Sequence, residues 1–72
     1  MSTFQRVTAT TKRFRYAVDQ GHTGRFVAVR YPNVRFPQSG RTLGFFESPL
    51  AARRECEADN KRFTKSLLVW RM

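Results

Sequence analysis

The strongest local signal in this 72-residue chain is the pair Ser48-Pro49. A Ser hydroxyl accepts from the free amides of a helix's first turn, and Pro fits the first helical position, where its missing N–H costs nothing. From Leu50 to about Lys65 neither Pro nor Gly interrupts, and Ala52, Cys56, Phe63 and Leu67 recur at helical spacings along one stripe. Glu57 and Lys61 stand four apart in the favourable order. One C-terminal helix is predicted. A chain of 8.4 kDa is one domain at most, so the preceding residues must supply the rest of the core.

Those residues read as strands. Lys12 to Val18 alternates, with Phe14, Tyr16 and Val18 on one face and Arg13, Arg15 and Ala17 on the other. Asp19 to Gly24 carries two glycines and has hairpin-loop composition. Arg25 to Tyr31 makes a second strand, Val27, Val29 and Tyr31 facing one way and Phe26, Ala28 and Arg30 the other. Both stripes are partly apolar, so its register stays open. Pro32 to Gly40 is a long loop carrying Val34, Arg35 and Phe36, and Arg41 to Phe46 is a short third strand. The predicted fold class is α+β, a three-stranded antiparallel sheet packed on one C-terminal α-helix and spanning 12–66. Residues 1–11 are either an N-terminal arm or an edge strand. The apolar tail 67–72 either packs back or pairs with a partner.

Eleven Arg and three Lys against five acids give a net charge of +9. Residues 1–46 hold eight basic residues and one acid, residues 47–72 six and four, so the sheet region carries most of the excess. Arg outnumbers Lys, and a guanidinium presents a planar fork to phosphates or guanine edges where an ammonium is a point charge. An acidic partner is expected, and a one-sided basic field suits phosphates, whose neutralisation releases condensed counterions.

Other chemistries find little footing. The single Cys56 forms no internal disulfide, reads as a small buried hydrophobe, and with the lone His22 does not complete a four-ligand zinc site. His22, flanked by glycines, reads as an exposed turn residue. Glu55, Glu57 and Asp59 fan around the helix and are expected to pair with neighbouring Arg53, Arg54, Lys61 and Arg62. No carboxylate pair or nucleophile with a base stands out, so neither an enzyme nor a metal or other cofactor is expected. With no run of 18 apolar residues and no secretory leader, the expected location is cytoplasmic.

At Gly24-Arg25-Phe26-Val27-Ala28 and at Leu43-Gly44-Phe45-Phe46-Glu47-Ser48-Pro49, with Ala52 and Arg54 following, the chain resembles the plant ethylene-response-factor domain of the Apetala-two type and its relatives in phage integrases. The similarity covers about residues 12–62. It implies a sheet that enters the DNA major groove with the helix packed behind it. Carried over, the groove-facing residues are Arg13 and Arg15 on the first strand, Arg25 on the second and Thr42 on the third. The chain departs from the family at Val29-Arg30-Tyr31, which places Arg30 on the core side unless the register shifts, and in its longer loop.

The expectation is thus a small basic, phage-like regulatory protein contacting duplex DNA through Arg13, Arg15, Arg25, Arg30, Arg41 and Thr42, with Arg35 on the loop. The alternative is a protein that binds an acidic host protein through Phe36 and Trp70, aromatic residues being common interface anchors. Leu67, Leu68, Val69, Trp70 and Met72 are also placed to join a homodimer across a twofold axis.

Overall fold

The computed structural model describes residues 4–33 and 40–71. Its elements are β1 (Val7–Thr10), β2 (Phe14–Gln20), β3 (Phe26–Pro32), β4 (Arg41–Phe46) and α1 (Pro49–Phe63). The strands form one antiparallel sheet in the order β1-β2-β3-β4, with α1 packed on one face. The α+β class with a C-terminal helix holds, but the sheet has four strands rather than the expected three.

The extra strand is the edge strand β1. Val7 and Ala9 pair with Val18 and Tyr16 and are buried, while Thr8 and Thr10 pair with Ala17 and Arg15. Thr11 then turns the chain, its Oγ1 accepting from the amides of Arg13 and Phe14 at 3.3 and 3.0 Å. That turn takes Lys12 and Arg13 out of the strand in which alternation alone would place them. The second hairpin is closed by Gly21 and Arg25, whose backbone groups bond at 2.9 Å. Gly24 takes a positive φ of 84° there, which a side chain would strain.

Register settles the ambiguity of β3. Phe26, Ala28 and Arg30 stand opposite Gln20, Val18 and Tyr16 and face α1, while Val27, Val29 and Tyr31 face the open side. Leu43 is an extra residue in β4, since Ala28 pairs with Gly44 but Val29 with Thr42, and it packs on the core.

Helix α1 begins as predicted. Ser48 Oγ accepts from the amide of Ala51 at 3.2 Å and Pro49 opens the first turn, a cap worth about 1 kcal/mol. Its buried residues are Ala52, Cys56, Asp59 and Asn60, so the stripe turns polar where Phe63 and Leu67 were expected to continue it. Phe63 is partly exposed, and Leu67 lies beyond the helix and is 82% exposed. The side-chain amide of Asn60 donates to the Ser66 carbonyl at 2.6 Å and pins the start of the tail.

The tail packs back on its own sheet. Arg71 and Thr8 exchange two backbone hydrogen bonds of 2.7 and 2.8 Å in an isolated antiparallel bridge. Leu68 and Trp70 lie against the core, the Trp70 ring beneath the Arg53 guanidinium, its indole N–H donating to Glu57 Oε2 at 3.3 Å. No helix among the described residues is long and apolar enough to cross a membrane.

A basic pole at one end of the sheet

The open face of the sheet carries three cross-strand rows. Thr10, Arg15 and Tyr31 form the first, Thr8, Ala17, Val29 and Thr42 the second, and Asp19, Val27 and Phe45 the third. Arg15 stacks over the Tyr31 ring at 5.4 Å. Arg71 joins the second row beside Thr8 through the tail's bridge. This face is less basic than the sequence suggests, because the expected arginines do not all stand on it.

Arg15 does stand there, and Thr42 lies on the row at the β4 edge. Arg25 precedes β3 and forms an exposed 3.4 Å ion pair with Glu47. Arg30 is on the helix side, a correction to its place in an open-face set. Its Nη1 donates to both oxygens of Asp59, at 2.9 and 3.0 Å, and its guanidinium lies over the Phe14 and Phe63 rings at 4.7 and 5.1 Å. Arg13 sits in the β1–β2 turn with its guanidinium over the same two rings, at 5.5 and 5.2 Å, so it too leaves the open face. Arg41 pairs with Arg30 across the β3–β4 ladder. Arg35 and Phe36 lie outside the described residues. Trp70 is half-buried and spends its ring and N–H on Arg53 and Glu57, which removes it as a free anchor.

What the topology does bring together is charge at one end. The β1–β2 turn, the end of β3, the start of β4 and the C-terminus of α1 all lie at the same end, as the Phe14–Phe63 ring contact of 5.2 Å shows. The turn brings Lys12 and Arg13, the strands bring Arg15, Arg30 and Arg41, and the helix end brings Lys61, Arg62 and the adjoining Lys65. These eight cations face three acids, Asp59 and, within a turn of it on the helix, Glu55 and Glu57. The remaining described residues hold five cations and two acids. Cations also suit a helix C-terminus, where the backbone carbonyls concentrate negative potential.

Asp59 organises the buried side of this pole. It is 5% exposed and accepts from Arg30 and from the Tyr16 hydroxyl, the latter at 2.8 Å. Burial first, then the bond to Asp59 and its charge, pushes the Tyr16 phenol well above its ordinary range. Burial likewise pushes the Cys56 thiol up to about 12, with Asp59 and the neighbouring glutamates adding to it, so a thiolate nucleophile is disfavoured. The helix acids were expected to pair with cations on their own helix. Asp59 pairs across to the sheet instead, and Ala52, Cys56, Asp59 and Asn60 at i, i+4, i+7 and i+8 were the readable signal, two polar residues on an otherwise apolar stripe.

Beside Asp59 a cleft of about 280 Å³ opens between β4 and α1, lined by Arg30, Arg41, Thr42, Leu43, Glu55, Asp59, Arg62 and Phe63. Among the described residues no group of three or more His, Cys, Asp or Glu is placed to hold a metal ion. Comparison with protein-family models, with curated proteins and with solved structures finds no match to this chain.

Proposed function

We propose that this protein binds DNA through its basic pole and the adjoining first row of the open face. The observation that carries the reading is the gathering of eight of the chain's fourteen cations at one end of the sheet. Concentrated positive charge is what phosphates reward, because each one neutralised releases counterions and adds to the salt dependence of binding. The Arg15–Tyr31 stack sits on this side of the open face and offers both a guanidinium and a ring edge to the ligand.

The fourth strand bears on how DNA is met. At about 4.8 Å per strand the axes of β1 and β4 stand about 14 Å apart, and a major groove is about 12 Å wide. A flat, face-on entry of the whole sheet is therefore unfavourable, and the pole, where turn, strand ends and helix end project, is the better fit. Arg13, Arg15, Arg41 and Arg62, with Lys12, Lys61 and Lys65 beside them, take the phosphates in this reading, and Arg30, besides tying the sheet to the helix through Asp59, stands in the same cleft as Arg41 and Arg62.

The test is binding of a random-sequence duplex followed at several salt concentrations. Micromolar affinity with a log–log salt slope near −4 or steeper, equivalent to about four neutralised phosphates, is the expected result. Absence of binding at low salt overturns the proposal and turns attention to an acidic protein.

A further inference from the structure

We infer that the cleft between β4 and α1 is the seat of a single phosphate group, held jointly by Arg30, Arg41 and Arg62. This rests on the DNA-binding reading, in which the phosphate belongs to the backbone of DNA.

The cleft pairs one fixed guanidinium with two free ones. Arg30 is clamped by both oxygens of Asp59 through its Nη1 and lies against the rings of Phe14 and Phe63. Its Nε and Nη2 make no hydrogen bond to a described residue, and Arg30 lines the cleft with a side chain 16% exposed. A guanidinium fixed in this way has already lost its rotamer freedom, so an anion engages it at low entropic cost. Arg41 and Arg62 line the same cleft from opposite walls, are exposed, and make no ion pair or hydrogen bond to any described residue. The lining sets three guanidiniums against the two carboxylates of Glu55 and Asp59, a net charge of +1 that favours an anion.

The size and lining narrow the ligand. At about 280 Å³ the cleft falls just below the ~300 Å³ where sites for drug-sized molecules begin, which suits a phosphate with its adjoining sugar oxygens better than a whole ligand. Glu55, on the helix wall, opposes an anion and limits how tightly one is held.

One phosphate shared by Arg41 and Arg62 has a signature that general attraction lacks. Arg41→Ala and Arg62→Ala should each weaken binding of the duplex about tenfold and lower the salt slope by about one. The double variant should lower the slope by about one as well, since the same phosphate is lost. Glu55→Gln should tighten binding. Titration of the full chain with inorganic phosphate, read by NMR at the Arg30 Nε–H resonance, probes the seat without DNA and should shift that resonance at millimolar concentrations. A slope that falls by two in the double variant, silent single variants, or an Arg30 resonance that phosphate leaves unmoved each overturns the inference while wild-type binding keeps the DNA reading intact. A phosphate response in a chain that binds no duplex retains the seat and overturns DNA as its source.

Discussion

Arg30 and Asp59, 29 residues apart, join the sheet to the helix through hydrogen bonds of 2.9 and 3.0 Å from one guanidinium nitrogen to both carboxylate oxygens. Their side chains are only 16% and 6% exposed, so each charge depends on the other for solvation. Removing one partner of such a pair costs about 3–5 kcal/mol, whereas replacing both with apolar residues is often close to neutral. Arg30→Met alone should therefore cost a large part of the stability of a domain this small, for which about 4–11 kcal/mol is ordinary. Arg30→Met with Asp59→Leu should recover part of the loss, the remainder being the Tyr16 hydroxyl that Asp59→Leu leaves buried without its acceptor. Urea unfolding of the two single variants and the double tests this, and a double variant no better than the sum of the singles removes the coupling.

The loss of stability in alkali should begin near pH 9. The Cys56 thiol is raised from 9.0 to about 12 and the Tyr16 phenol is raised further from 10.0, so the native state keeps protons that the unfolded chain releases. The stability these groups contribute is complete below their unfolded values and is lost as pH climbs through the window above them. Where both unfolded groups are ionised and both folded ones are not, the slope approaches about 2.7 kcal/mol per pH unit. Cys56→Ala should shift the onset to about pH 10. An unchanged onset in that variant, read by denaturant midpoints from pH 8 to 11, would falsify the assignment.

The tail should contribute stability through Trp70 and Leu68 but not through Leu67. Trp70 is half-buried, stacked beneath Arg53 and bonded to Glu57, while Leu67 is 82% exposed. Trp70→Ala is expected to cost about 2–3 kcal/mol, below the range for a fully buried aromatic, and Leu67→Ala less than about 0.5 kcal/mol. Because Trp70 is the only Trp, far-UV circular dichroism is the appropriate probe. Equal effects at the two positions would mean that the tail does not pack as described.

The sequence made the helix start, three of the strands and the Gly24 turn readable, because each rests on local chemistry. The remainder depends on partners distant in the chain. β1 is four residues of Val, Ala and Thr, and it is a strand because β2 pairs along one edge and Arg71 bridges the other. Alternation in β3 offers two partly apolar stripes, and Arg30 turns inward because Asp59 waits there. Arg13 alternates correctly with Phe14 and Arg15 but leaves the open face because the Thr11 hydroxyl turns the backbone first. The pole itself joins residues near 12, 41 and 62, which only the topology makes neighbours.

Position rather than net charge should govern DNA binding, and Arg54 and Arg62 allow the two to be separated. Both are exposed helix arginines, and replacing either with Ala changes the total charge by the same amount. Eight residues at 1.5 Å each set them about 12 Å apart, more than the Debye length of about 8 Å at physiological salt, so a phosphate beside Arg62 is largely screened from Arg54. Arg62 lies in the last turn of α1, facing the cleft and the pole, whereas Arg54 lies toward the end of the helix nearer Glu47. Arg62→Ala should weaken duplex binding about tenfold and lower the salt slope by about one, while Arg54→Ala should change the affinity less than twofold and leave the slope unaltered. Titrations of both variants at about 150 and 250 mM salt, where the Debye length is no more than about 8 Å, distinguish the cases. Equal losses at the two sites would mean that the +9 charge acts as a diffuse field with no pole.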